Sequence, residues 1–282
     1  SGLGADYSAG LRKIYLQLAE LFAKPANAKQ SKRYNILGAS PLHYRAESDI
    51  CEIESLLREA FGYDLLHCFA MNTTTEAIAE LGNAELNIVL AAEALPCAEY
   101  LQSVTGTPYV YLPPYGYSQT TEFLNSVAAV IGQPVKEAML QRLAEKNRRL
   151  KMLLNSPLLS RTPGTVFLKG DYDTVKGLGD FFKELRFNIA HSVCAHKITG
   201  AAAEAGIEYF KEEKDYLQLL KDIRHCLVMA DEDTVAKTDA TNLKICVSHP
   251  CFSHRTIAKH LPFMGERGAD MLFEYIQQYV NM

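Results

Sequence analysis

Residues 33–70 read RYNILGASPLHYRAESDICEIESLLREAFGYDLLHCFA and contain a complete strand–helix–strand pattern. Two short, almost continuously apolar runs occupy residues 33–38 and 64–70, as is typical of strands buried on both faces. Between them, apolar residues recur every three or four positions, at Ile50, Ile53, Leu57 and Ala60. This spacing places one apolar stripe along a helix. We predict Ser48 as the N-cap of that helix and Gly62 as its C-terminal stop.

The same alternation continues on both sides of this segment. Further strand-like runs lie at 86–91, 108–112, 165–169, 188–194, 225–229 and 243–248. Amphipathic helical patterns lie at 11–22, 73–81, 97–105, 120–131, 173–185, 216–223 and 268–279. Strands that alternate with helices in this way indicate parallel sheets joined by right-handed crossovers.

The alternation is interrupted once, by a long charged helical pattern without a strand at residues 135–159. A polar loop containing Pro163 and Gly164 follows it, which is typical of a domain boundary. We therefore predict an α/β protein with two doubly wound, mostly parallel-sheet Rossmann-like domains that face each other across a cleft. The predicted units are an N-terminal loop and helix (1–30), a first domain (31–134), a connecting helix and linker (135–163) and a second domain (164–282).

The composition excludes several classes of protein. The chain has 282 residues, a formal net charge of -4, and 22% charged residues, so no global electrostatic case exists for nucleic acid or an anionic membrane. No apolar run approaches the roughly 18 residues that span a bilayer. The first residues resemble no signal peptide, and the seven cysteines form no C-x-x-C pair. We expect a cytoplasmic protein with reduced cysteines.

Candidate binding residues follow the predicted strands, because ligands of open parallel sheets bind beyond the carboxyl ends of the strands. We expect a common cleft lined by Ser40, His43 and Tyr44 after the first strand, Asn72 and Thr73 after the second, Tyr115 and Tyr117 after the fourth, Lys169 and Asp171 after the fifth, and His249, Cys251 and His254 after the last. We also expect Thr73 and Glu76 to form a helix capping box, and Asp171 or Asp173 to cap a helix.

Several common catalytic motifs are missing from the sequence. The loop after the first strand lacks G-x-G-x-x-G, and neither a phosphate-binding G-x-x-x-x-G-K-[ST] nor a G-x-S-x-G elbow occurs. The His and Cys residues near positions 191–196 and 249–254 lack the closed, paired spacing of structural zinc sites. We therefore predict no dedicated metal site and assign no catalytic residue.

Four segments, in the right order, resemble the nitrogenase component 1-type oxidoreductases. They are the segment at 33–65 described above, preceded by SGLGADYSAG (1–10); TGTPYVYLPPYGYSQTTEFLNSVAAVIGQP (105–134); GDYDTVKGLGDFFKEL (170–185); and HPCFSHRTIAKHLPFMGERGADMLFEYI (249–276). The family includes molybdenum–iron protein subunits, scaffolds for their cofactor, and dark-operative protochlorophyllide reductase-like proteins.

The resemblance implies a cofactor, partners and one site residue. Members of this family pair as homo- or hetero-oligomers of homologous subunits and receive electrons from an ATP-dependent iron–sulfur reductase. Their iron–sulfur ligands lie in an N-terminal domain outside this chain, so we expect no cluster on the chain alone. The family's cofactor-ligating histidine falls near His254, and its cofactor-ligating cysteine is matched by Ala91 or Ala92.

Three functions stay open at this point. The first is an oxidoreductase that binds a metallocofactor or tetrapyrrole in the interdomain cleft, represented here by its last two domains and inactive alone. The second is a non-enzymatic cofactor scaffold or binding protein of the same family. The third is a two-domain solute-binding protein, which the missing export signal and the cysteines disfavour.

Overall fold

The computed structural model describes residues 7–25, 28–41, 43–69, 71–155, 164–194, 196, 206–209, 213–252 and 260–280. Its strands are β1 (Arg33–Leu37), β2 (Asp64–Phe69), β3 (Leu86–Val89), β4 (Tyr109–Tyr111), β5 (Thr165–Gly170), β6 (Asn188–Cys194), β7 (Leu227–Ala230) and β8 (Leu243–Cys246). Its helices are α1 (Tyr7–Phe22), α2 (Ala46–Phe61), α3 (Thr75–Ala79), α4 (Leu95–Thr105), α5 (Gly116–Ile131), α6 (Glu137–Leu154), α7 (Tyr172–Glu184), α8 (Glu213–Leu220), α9 (Glu232–Lys237) and α10 (Gly265–Val280).

The strands form two parallel four-stranded sheets with the same topology, which confirms the predicted α/β class. The orders are β2-β1-β3-β4 and β6-β5-β7-β8. Neighbouring residues of one strand belong to different apolar clusters, because successive side chains point to opposite faces of a sheet. Ile36 packs with α2 and α5 on one face of the first sheet, whereas Leu37 packs with α1 and α4 on the other. Both faces are therefore covered, as the continuous apolar runs require.

The two halves of the chain meet along helices α5 and α7, where glycine permits close approach. Gly116 begins α5 with a φ of 82°, and a Cβ there would press on the ring of Phe181. On the opposite helix, a Cβ at Gly177 would press on the ring of Tyr115. One buried apolar cluster includes residues of both halves. The predicted domain limits themselves stay a prediction.

Helix α10 crosses back from the second half and packs on α2 and α5 of the first. The Asp49 carboxylate accepts hydrogen bonds from the backbone N–H groups of Phe263 and Met264, at 2.7 and 2.9 Å. The N–H of Gly265 donates to the carbonyl of Pro114 at 2.7 Å. The end of the chain therefore completes the helical layer of the first sheet.

Two local predictions about helix starts are wrong. Helix α2 begins at Ala46, so Ser48 lies inside its first turn; Arg45 occupies the N-cap with a φ of 64° and no side-chain capping bond. Its guanidinium stacks over Phe263, 5.1 Å from the ring centre, so a contact distant in sequence fixes this turn. At α3, Thr74 and not Thr73 accepts the capping bond, from Ala77 N–H. Gly62 and Asp171 cap their helices as predicted.

Candidate functional site

A cleft of about 580 Å³ lies where the carboxyl edges of the two sheets face each other. Loops that follow β1, β3, β5, β6 and β8 form its walls, together with the first residue of α1. The lining residues are Tyr7, His43, Glu93, Gly170, Asp171, Tyr172, His196, Ser248, His249, Pro250, Cys251 and Phe252. Ligand pockets commonly have volumes of roughly 300–1,000 Å³, so the cleft can hold a medium-sized organic molecule.

One wall combines an imidazole, a phenol and a thiol. The ring of His249 meets that of Tyr44 edge-on, with centroids 5.7 Å apart. Burial lowers the pKa of His249, and the charge of His43 lowers it further. Burial raises the pKa of Tyr44 to about 12, and a hydrogen bond with Cys251 adds to that effect. At neutral pH this wall therefore presents a neutral imidazole and a protonated phenol.

Another part of the lining comes from the start of α1. The rings of Tyr7 and His196 lie 5.2 Å apart, and Tyr7 shares a hydrogen bond with Ser40. Ser8 donates a hydrogen bond of 2.8 Å to the Glu93 carboxylate, which anchors the helix to the loop after β3. Burial raises the pKa of Tyr7, so its hydroxyl stays a hydrogen-bond donor across the neutral range.

A smaller cavity of about 20 Å³ lies beside the cleft and shares His43 and Asp171 with it. Two further buried carboxylates, Asp49 and Asp173, line this cavity. Asp173 accepts hydrogen bonds from the Ala92 N–H at 2.8 Å and the Tyr111 hydroxyl at 2.6 Å, which join the two halves. Burial raises the pKa of Asp49 to about 7 and that of Asp173 to about 8. The hydrogen bonds that each carboxylate accepts act in the opposite direction and lower its pKa.

The structure brings part of the predicted set together at the cleft. His43, Asp171, His249 and Cys251 line it. Three other predicted residues are buried next to it: Ser40 contacts Tyr7, Tyr44 contacts His249, and Tyr115 lines the smaller cavity. His254 lies outside the described residues.

Four predicted residues lie away from the cleft. Lys169 is on the same face of β5 as Phe167, and its ammonium pairs with Asp231 at 2.8 Å and lies 4.5 Å from the Tyr216 ring centre. Tyr117 donates a hydrogen bond of 2.6 Å to Asp270 on α10. Two more residues belong to the turn after β2: Asn72 is exposed with a φ of 53°, and Thr73 donates to the Cys68 carbonyl.

Sequence reasoning left out several lining residues. Glu93 and Tyr172 follow strand ends closely, so the rule that selected the other loops also points to them. Tyr7 carries no such signal, because it enters the cleft only through the packing of α1 on α4 and on the turn at Ala92–Ala94.

Two features are not found within the described part of the chain. No group of three or more His, Cys, Asp or Glu side chains there is arranged to hold a metal ion. None of the helices described is long and apolar enough to cross a membrane. The cleft offers the imidazoles of three histidines, one thiol, hydroxyl donors and aromatic surfaces. This chemistry suits a ligand that is largely apolar, with a few polar or metal-bearing positions.

Comparisons with known proteins agree on one family. The family model of nitrogenase component 1 type oxidoreductases matches residues 1–281. A light-independent protochlorophyllide reductase subunit of Methylobacterium sp. (strain 4-46) is 27% identical over 293 residues, which cover 94% of this chain and 54% of the relative. The corresponding protein of Bradyrhizobium sp. (strain ORS 278) is 29% identical over 261 residues, covering 85% and 48%.

The chain spans about half the length of these curated relatives. Among solved structures, one described as nitrogenase Cp1 at pH 6.5 has a TM-score of 0.73 and 19% sequence identity. The match covers 98% of this chain and 65% of that one, and it shows a shared fold.

Proposed function

Because the chain belongs to the nitrogenase component 1 type oxidoreductase family, we propose that it is the part of an oxidoreductase subunit that binds a tetrapyrrole or a metallocofactor in the cleft between its two sheets. The observation that carries this proposal is the 580 Å³ cleft with its aromatic, imidazole and thiol lining. The curated relatives are named as protochlorophyllide reductase subunits, which favours a tetrapyrrole as the occupant.

The lining residues fit such a molecule. A flat conjugated ring needs apolar surfaces, and Tyr7, Tyr172 and Phe252 supply aromatic rings to the lining of the cleft. If the ring carried a metal, a protein side chain would have to hold it, and neutral imidazole is a common ligand for metals of this kind. His249 is the candidate, because burial lowers its pKa and so favours the neutral form.

The remaining steps of a reduction involve parts beyond this chain. We propose that a reductase delivers electrons to a cluster outside these residues, and that the complete protein pairs with a homologous subunit in the cytoplasm. A bound tetrapyrrole supplies the conjugated system that is reduced. This chain's residues orient it: the rings of Tyr7 and Tyr172 line the cleft and exclude water.

Titration of the 282-residue chain with protochlorophyllide, and separately with zinc protoporphyrin IX, tests the proposal. We expect saturable binding, seen as a shift in absorbance. Loss of a metal ligand or its support commonly costs about tenfold or more in affinity, so His249→Ala should weaken zinc protoporphyrin binding by at least that factor. Asn72→Ala is the matched control, because Asn72 is exposed and lies outside the cleft.

Two results would contradict the proposal: no saturable binding of either probe, or equal affinity in the wild type, His249→Ala and Asn72→Ala. Measuring whether the bound pigment is reduced distinguishes an oxidoreductase from a non-enzymatic scaffold. Full-length protein supplied with reductant and its reductase partner should reduce the bound pigment. Pigment that stays bound and unchanged would favour the scaffold.

A further inference from the structure

Two cysteine thiols lie together beside the cleft. Cys246 is the last residue of β8, and Cys251 follows after four intervening residues. The two side chains hydrogen-bond to one another, and both residues are partly buried. The chain therefore carries a dithiol at this edge of the second sheet, and the resemblance to known proteins assigns it no role.

The surroundings of the two sulfur atoms are unequal. Besides Cys246, the Tyr44 hydroxyl also hydrogen-bonds to Cys251. Burial, together with Cys251 and the nearby carboxylates of Glu232 and Asp231, raises the pKa of Cys246 to about 12. Cys246 and Tyr44 therefore keep their protons at neutral pH and donate toward the Cys251 sulfur. Cys251 is therefore the sulfur that accepts from both neighbours, and we assign it as the nucleophile of the pair.

Access from the cleft also distinguishes the Cys251 sulfur from the other cysteine sulfurs. Cys251 lines the 580 Å³ cleft together with His43 and His249, whereas Cys246 is not among the lining residues. Cys97, Cys194 and Cys226 are buried, and burial raises the pKa of Cys68 to about 12. A small oxidant that enters the cleft therefore meets Cys251 first, with a second thiol already in contact with it.

We propose that Cys251 and Cys246 form a reversible intramolecular disulfide when the chain meets a small peroxide. The Cys251 thiolate attacks one peroxide oxygen; an S–O bond forms, the O–O bond breaks, and hydroxide leaves as water after taking up a proton. The Cys246 thiol then attacks the Cys251 sulfenic acid and gives its proton to the departing hydroxyl group; the S–S bond forms, the S–O bond breaks, and a second water is released. Two thiols lose two electrons in total, and the peroxide gains them.

The disulfide changes the wall of the cleft. It changes the Cys251 sulfur toward which the Tyr44 hydroxyl donates, and Tyr44 in turn contacts His249. Oxidation therefore alters the surface that any occupant of the cleft meets. The proposal does not depend on the identity of that occupant, because its readouts are thiol chemistry on the chain alone.

The test is peptide mass spectrometry on the folded 282-residue chain. Trypsin cleaves after Lys244 and Arg255, so both cysteines fall in one peptide, residues 245–255. After a slight molar excess of hydrogen peroxide, we expect this peptide to be lighter by two hydrogen atoms and resistant to iodoacetamide. Reduction with dithiothreitol should restore alkylation at both positions. Two alkylated cysteines after peroxide, or Cys251 sulfinic acid beside a free Cys246, would overturn the proposal.

Three variants separate the roles. In Cys246→Ser, Cys251 should be trapped by dimedone as a sulfenic acid, and trapping at neither position would count against its assignment as the nucleophile. Tyr44→Phe should slow disulfide formation several-fold, whereas an unchanged rate would refute the activating hydrogen bond. Cys226→Ser is the control, because Cys226 is buried and donates to the Arg224 carbonyl instead. It should leave the peptide result unchanged, and loss of the disulfide in this control would overturn the assigned pair.

Discussion

Replacing Gly177 by alanine should strain the contact between the two halves of the chain, while the same change at Gly179 should not. Both glycines are buried in helix α7. A Cβ at Gly177 would lie 2.7 Å from Cε2 and 2.9 Å from Cγ of the Tyr115 ring on the opposite half. A Cβ at Gly179 would find its nearest neighbour, Leu168 Cδ1, at an ordinary 3.8 Å.

The difference between the two variants can be worked out from these contacts. Alanine is favoured over glycine in a helix interior by about 1 kcal/mol, and this gain applies at both positions. Overpacking a buried site costs about 1–3 kcal/mol. The Tyr115 ring has little freedom to move, because it is 3% exposed and its hydroxyl hydrogen-bonds to Thr174 at 3.2 Å. We therefore expect the free energy of unfolding of Gly177→Ala to lie about 2 kcal/mol below that of Gly179→Ala.

Urea unfolding followed by circular dichroism measures this difference. Tyr115→Leu combined with Gly177→Ala should cost less than the sum of the single changes, because the smaller side chain makes room for the new methyl group. Coupling of this kind is the signature of residues in direct contact. Equal stability of Gly177→Ala and Gly179→Ala, or strict additivity with Tyr115→Leu, would refute the close approach of α5 and α7 at this point.

The remaining predictions concern charges. Burial raises the pKa of Asp49 to about 7 and of Asp173 to about 8, so the folded chain binds more protons than the unfolded one from about pH 4 upward, and stability falls as pH rises through these values. Asp49→Asn and Asp173→Asn should each flatten the pH dependence of the free energy of unfolding between pH 5 and 8, by up to about 1.4 kcal/mol per pH unit. Chemical unfolding at a series of pH values measures this slope. An unchanged slope in either variant would contradict the raised pKa of that aspartate. Arg142 bridges α6 to carboxylates on α2 and α10, whereas Arg149 pairs with Glu145 on its own helix. Arg142→Met should therefore lower the melting temperature clearly, and Arg149→Met should change stability by less than about 0.5 kcal/mol; equal shifts would argue against the bridging role.

The strands of the described residues were predictable because their signal is local. The runs at Arg33–Leu37 and Leu227–Ala230 are buried on both faces, which is typical of strands in a parallel sheet covered by helices on both sides. Helix ends were predictable where one residue determines the turn, as at Gly62 with its φ of 75°. The start of α2 was not, because Arg45 takes its conformation from a contact with Phe263, more than two hundred residues along the chain.

In the candidate site, too, local features were predictable from the sequence and contacts between distant residues were not. Strand ends alone indicated the loops of His43, Asp171 and His249, since the carboxyl edges of parallel strands share one side of a sheet. The direction of each side chain depended on its neighbours: Lys169 faces Asp231 and Tyr216 instead of the cleft. Tyr117 is likewise bound to Asp270 on the returning helix α10.

The sequence by itself determined the α/β class, the order of strands and helices, and the resemblance to the family. These follow from periodicity and from short motifs, which act over a few residues. Only the tertiary structure decided that α1 brings Tyr7 to the cleft, that α10 returns to the first half, and that Cys246 and Cys251 touch beside Tyr44. Such contacts depend on how packed elements orient one another, and the free energy that fixes them comes from groups far apart along the chain.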